Sequence, residues 1–191
     1  MNENVIIVDA DYIDQVAFNL IVNFERMLGR RIPQADMARW IDCVALDGGI
    51  RDGEQQTHVV LIHDKRNRKL QNFVPADYEK ELNGQAFKDR LGEFVISALP
   101  VEELTTKEDF FVETLQVVLA QKETKRVMIV PGEDLYRRVM LTLQKADTTD
   151  HELTVFSMQP AMAGNAFRHE ILGYSLMSAL GIRSDEINPN Q

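Results

Sequence analysis

Acidic residues close several apolar runs of this chain, and their types and spacing point to chemistry on phosphate. In Val5-Ile6-Ile7-Val8-Asp9-Ala10-Asp11, a strand-like stretch ends on Asp9 with Asp11 two residues on. Asp64 follows Val59-Val60-Leu61-Ile62-His63, and Glu133 and Asp134 follow Val127-Met128-Ile129-Val130. Asp109 and Glu113 stand four apart, on one face of the helix expected before that last run. Carboxylates drawn from separate elements are the usual ligands of Mg2+ or Mn2+, hard cations that prefer oxygen. Such an ion activates water and neutralises charge on a phosphodiester in transition. Helix capping competes with that reading, because Asp11, Glu108, Asp109, Glu133 and Asp134 all fall at expected helix N-termini. Asp9 resists this account, since it closes an apolar strand.

Basic side chains could meet the same phosphate. Lys65-Arg66-Asn67-Arg68-Lys69 is the most basic cluster of the chain. Lys65, Arg66 and Arg68 would contact a nucleic-acid backbone, or form a solvated loop. Arg137 and Arg138, one turn into the helix after Glu133, would clamp phosphate or pair with nearby acids. No P-loop or Rossmann glycine spacing and no serine nucleophile elbow occurs. Cys43 sits beside Val44 on the expected buried side of the second helix and reads as inert.

These groups need a scaffold, and periodicity supplies one. Ile13, Val16, Ala17, Leu20, Ile21, Phe24, Met27 and Leu28 form one apolar helical face that ends at Gly29. A second helix starts near Pro33 and buries Met37, Trp40, Ile41 and Val44. Val59–Ile62, Glu93–Leu99 (stopped by Pro100), Arg126–Val130 and Leu153–Phe156 read as further strands. Ala76 to Leu82, extending towards Leu91, reads as helical. Thr105 with Glu108 resembles a capping box opening another helix, and a last helix spans about Ala163 to Leu180. Strands alternating with helices predict one three-layer α/β/α domain over residues 1–191, with a mainly parallel sheet of about five strands. Residues 184–191 read as a frayed tail. The small apolar stretch Ala161-Met162-Ala163-Gly164 could line a pocket, and the broad apolar surface of the last helix hints at a homodimer.

Composition narrows the classes. The 191 residues carry 45% hydrophobic side chains, enough for one sizeable core. The net charge of −9 argues against coating DNA broadly, though not against a local basic groove. One cysteine excludes an intramolecular disulfide and fits a reducing compartment. No apolar run approaches the ~20 residues of a membrane span, and the polar start lacks a secretory pattern. A cytoplasmic protein with no membrane partner is expected.

The pattern Val5–Asp11 followed by a helix resembles the start of PIN-like nuclease domains of the NYN type. The stretch Lys107 to Phe156 resembles their second half, with Pro131-Gly132-Glu133-Asp134 at the acidic turn. The resemblance implies a Rossmann-like fold and a metal-dependent ribonuclease. Asp9, Glu113 (or Asp109) and Glu133 would bind Mg2+ or Mn2+, Asp11 and Asp134 would support them, and RNA would be the partner. The chain departs from the family at Tyr12, Pro131 and Leu135, which leaves a non-catalytic α/β binding module as the alternative. Asp9-Ala10-Asp11 also resembles the first motif of haloacid-dehalogenase-type phosphatases, where the first Asp is a nucleophile and the second an acid/base. Gly132-Glu133-Asp134 could then be the later acidic motif. Ile13 and the lack of a strand ending in Ser or Thr weigh against it, and no paired lysine stands out in the sequence.

Overall fold

The computed structural model describes residues 3–160 and 167–188. Chain order runs β1 (Asn4–Asp9), α1 (Ala10–Leu28), β2 (Ala35–Asp36), α2 (Met37–Asp47), β3 (Gln56–Asp64), β4 (Phe73–Val74), a π-helical turn (Tyr78–Leu82), β5 (Ala86–Asp89) and β6 (Gly92–Val101). It continues through α3 (Lys107–Leu119), β7 (Arg126–Val130), α4 (Glu133–Lys145), β8 (Glu152–Ser157), β9 (Arg168–Ile171), α5 (Leu172–Ala179) and α6 (Ser184–Ile187).

The protein is α/β, built on a seven-stranded sheet ordered β5-β6-β3-β1-β7-β8-β9. Every pairing is parallel except the β5–β6 hairpin at one edge. β1 lies at the centre and is buried along its whole length. Its alternate side chains enter different clusters: Ile6 and Val8 pack with residues of α1, α2 and α5, while Val5 and Ile7 pack with residues of α3 and α4. That is why the run is apolar without alternation. Each such buried side chain contributes about 1.5–3 kcal/mol of hydrophobic stabilisation.

Local chemistry sets the helix ends that face the sheet edge. Asp9 is the N-cap of α1, its Oδ1 accepting from the Tyr12 backbone N–H at 3.2 Å. Gly29 ends α1 in the left-handed region at φ 66°, where its N–H reaches Glu25 O at 3.0 Å. The buried face of α1 is Ile13, Val16 and Ala17, whereas Met27, read as part of that face, is 64% exposed. Asp36 caps α2, so this helix starts at Met37 and not near Pro33. The preceding Ala35–Asp36 instead pairs with Phe73–Val74 in a two-residue parallel ladder. Thr106, not Thr105, caps α3 by accepting from Asp109 N at 3.1 Å.

Several expectations are corrected. The main sheet has seven strands where about five were expected. β5 occupies the end of a segment read as helical, and β6 runs through Pro100, which lies opposite His63 in the ladder. At Pro100 β6 is paired with β3 alone, and a residue without a backbone N–H is tolerated where a strand has an open side. Arg168–Ile171, expected inside the last helix, pairs in parallel with β8. Its polar side chains suit an edge strand, and the helix begins only at Leu172. Ser184–Ile187, within the segment read as a tail, is helical, and Arg30 just past α1 grips Glu186 there at 2.8 and 3.0 Å. Cys43 is half-buried. α5 is broadly apolar because it packs on α2, where the buried Trp40 Nε1 donates to Ser175 Oγ at 3.1 Å. Ala161-Met162-Ala163-Gly164 and residues 189–191 lie outside the described residues. Among the described residues, no helix is long and apolar enough to cross a membrane.

Candidate functional site

Parallel strands deliver their carboxyl ends to one edge, and the acids that close β1 meet a lysine there. Asp9 is 2% exposed, so leaving water raises its carboxyl above the ordinary carboxylate range; Lys107 offsets part of this. Lys107 opens α3, the helix that precedes β7. Its Nζ lies 3.2 Å from Asp9 Oδ1 and 3.2 Å from Asp11 Oδ2. Burial alone would depress this ammonium, but attraction and hydrogen bonds to the two acids hold it above its usual value. A lysine in the first turn of a helix opposes the helix dipole. Here the two carboxylates supply the compensation.

Asp11 is further committed to the loop after β3. Its Oδ2 accepts from Asp64 N at 2.8 Å and its Oδ1 from Asn67 Nδ2 at 2.7 Å. One turn on, Asp14 accepts from the backbone N–H groups of Gln71 and Asn72 at 2.9–3.1 Å. The basic loop therefore does lie on the same edge as Asp9, held there by acids of α1.

The turn after β7 presses on Asp9 from the other side. A Cβ on Gly132 would come within 2.5 Å of Asp9 Oδ2, so a side chain here would force the carboxylate to shift. Glu133 is exposed at the start of α4 and accepts from Tyr12 Oη at 3.4 Å. Burial and then the Glu133 charge push the Tyr12 phenol up to about 12. Asp134 is exposed in the same first turn, a position the helix dipole favours by itself.

The expected metal ligands are not brought together. Glu113 is exposed and lines a groove with Val5 and His58, residues near the opposite end of β1 and β3 from Asp9. Glu113 is six positions beyond Lys107, about 9 Å along a helix, which carries the acid away from the carboxyl edge. Asp109, its alternative, is engaged by Arg138, which holds that carboxyl below its usual range. Among the described residues, no group of three or more His, Cys, Asp or Glu side chains could hold a metal ion. The residues present do not fit Mg2+ or Mn2+, because Asp9 and Asp11 already face an ammonium.

The basic candidates divide. Arg66 folds back on Asp64 at 2.9 and 3.1 Å and holds that carboxyl down at about 2. Lys65 lies 3.4 Å from Glu103 and 3.9 Å from Glu102. Arg137 and Arg68 line two separate clefts, in that order. The first, of about 480 Å³, lies beyond β7 and β8 against α4, with Tyr12, Pro131, Glu133, Tyr136, Met140 and Met158 in its walls. The second, of about 560 Å³, lies beyond β3 and β6. Ligands of open α/β sheets bind beyond the carboxyl ends of the strands, where helices leave for opposite faces. The first cleft sits at such a point, between α1 and α4.

The contacts that Lys107, Asn67 and Gly132 make with Asp9 and Asp11 are not foreseen from the sequence. Lys107 looks like an ordinary residue after a Thr-Thr cap, and only the adjacency of β1 and β7 shows that it faces Asp9. It pairs with both acids of the Asp9-Ala10-Asp11 stretch, where no paired lysine stands out in the sequence. No curated protein and no solved structure matches the chain. Its residues 1–187 match a family model described as "Family of unknown function (DUF6621)", and the chain belongs to that family.

Proposed function

We propose that this chain is a three-layer α/β/α domain of PIN-like build that binds a nucleotide or short RNA at the carboxyl edge of its sheet and does not cleave it through a divalent metal. One observation carries the reading: the Lys107 ammonium, 3.2 Å from both Asp9 and Asp11, occupies the place that a catalytic cation would need. This fixed positive charge offsets one of the two negative charges and fills the space between the acids that a metal ion would share. The clefts on either side then serve as binding surfaces, which matches the departures at Tyr12, Pro131 and Leu135.

The test is direct. The purified protein is incubated with an end-labelled short RNA and Mn2+, and its melting temperature is followed in parallel. The expected outcome is retention of intact RNA and no Mn2+-dependent shift. An ion that bound the native state at a hundredfold excess over its dissociation constant would add about 2.7 kcal/mol. RNA cleavage that disappears in Asp9→Asn overturns the proposal.

The paired lysine favours a second reading, aspartate-based phosphatase chemistry with Asp9 as nucleophile and Asp11 as acid/base. The burial of Asp9 at 2% exposure and its capping bond to Tyr12 oppose it. A phosphoryl adduct on Asp9, detected by mass spectrometry after incubation with acetyl phosphate, would favour this reading over the first.

A further inference from the structure

The cleft beyond β3 and β6 brings three cationic side chains to one surface of an acidic chain. Its lining includes His63, Lys65, Arg68 and Lys80, faced by Asp77 and Glu79. Asp77 is committed to the π-helical turn, its Oδ1 accepting from Glu79 N at 3.1 Å and Lys80 N at 2.9 Å. The contacts of Lys65 with Glu102 and Glu103 are exposed and worth little. Among the described residues, Arg68 and Lys80 make no ion pair. The Arg68 backbone is fixed, its carbonyl accepting from Tyr78 N at 3.1 Å.

His63 adds a rigid polar wall. It is 5% exposed and stacks on Tyr78 with ring centroids 3.7 Å apart and planes 6° from parallel. Its Nδ1 lies 2.9 Å from the carbonyl oxygen of Asp64, an acceptor only, so Nδ1 carries the proton and donates. Nε2 has no partner among the described residues, in a ring that lines the cleft. Single-turn π-helical segments recur at functional sites. This one places Lys80 in the lining of the same cleft as Arg68.

We infer that this cleft binds a phosphate monoester group, with the Arg68 fork and the Lys80 ammonium as its main contacts and Lys65 at the rim. Planar guanidinium donors and a point-charge ammonium are a common pairing for phosphate. The inference rests on the binding reading above only in taking a nucleotide as one carrier of that group. Metal-dependent cleavage would defeat that reading and leave this cleft untouched.

Amide chemical shifts of the full chain are followed during titration with orthophosphate, uridine 5′-monophosphate and uridine. Saturable shifts with the first two and none with uridine are expected, centred on residues 63–68 and 78–83. Similar affinities identify the free ion as a sufficient ligand, and tighter binding of the monophosphate identifies a nucleotide carrier. Arg68→Ala and Lys80→Ala, both surface changes, should each weaken binding about tenfold. Lys122→Ala, an exposed change at the opposite edge of the sheet, should not. No saturable shift up to about 10 mM orthophosphate or monophosphate overturns the proposal. So does binding by both Arg68→Ala and Lys80→Ala as tight as that of the unaltered chain, or binding of uridine as strong as that of its monophosphate.

Discussion

Lys107 and Asp9 are unequal partners, and the inequality has consequences for substitution. Asp9 is almost fully buried, whereas the Lys107 side chain keeps 32% of its surface in water. Lys107→Met removes the charge and retains most of the stem, stranding a carboxylate whose burial is already unfavourable. Breaking a buried pair from one side costs about 3–5 kcal/mol, and partial exposure here lowers the expected loss to about 2 kcal/mol in urea unfolding. Asp9→Asn keeps a side-chain acceptor for the Tyr12 N–H and leaves Lys107 its contact with Asp11. Its loss should stay within about 1 kcal/mol, because asparagine caps helices as well as aspartate does. The reverse ranking would mean that Asp9 carries its charge more cheaply than its surroundings imply. Gly132→Ala should cost about 1–3 kcal/mol, since the new methyl must displace an Asp9 carboxylate fixed by two partners. A full-strength ion pair in that variant, read from an unchanged Asp9 titration by NMR, would refute the close-approach account.

At the scale of elements, α1 serves as both a core helix and an anchor for the loop after β3. Asp9, Asp11 and Asp14 are spaced along its start, and each accepts hydrogen bonds that fix backbone or side chains nearby. A second acidic contact joins α2 to β5, where burial and then the neighbouring Asp89 push the Asp42 carboxyl up to about 7. Asp42 Oδ1 is buried without a partner. Between pH 3.8 and about 7 the native chain holds a proton here that the unfolded chain has released. Stability therefore falls as pH rises through that window. Asp42→Asn should stabilise the fold by about 1 kcal/mol at pH 8, a figure discounted for partial exposure, and change little at pH 4. Equal effects at both values would sink this account. The elements themselves were unevenly legible. β1, α1 with its glycine stop, α4 and β8 announce themselves through period and caps. β9 does not, because Arg168-His169-Glu170 is polar and Phe167, Ile171, Leu172 and Ser175 also fit a helical face. β2 and β4, two residues each, are too short to carry any period.

Across the whole molecule, protection should fall away from the centre of the sheet. β1 and β3 are flanked by strands on both sides and covered by buried side chains, whereas β5 and β9 are short, polar edges. Native-state hydrogen exchange should be slowest in β1, β3 and β7 and fastest in β5 and β9. Protection of β9 equal to that of β1 would contradict its placement at an edge. The site was legible only as far as this topology allows. That Asp9 and Glu133 share an edge follows from parallel strands. That Glu113 misses it, and that Lys107 takes its place, depends on how far along α3 each residue falls. A cation carried in the chain also behaves unlike one drawn from solution. Its occupancy is fixed when the protein is made, one per molecule, and follows no mass-action law. On the binding reading proposed above, chelation therefore withdraws nothing from between Asp9 and Asp11, and the ambient supply of divalent ions leaves the charge there constant.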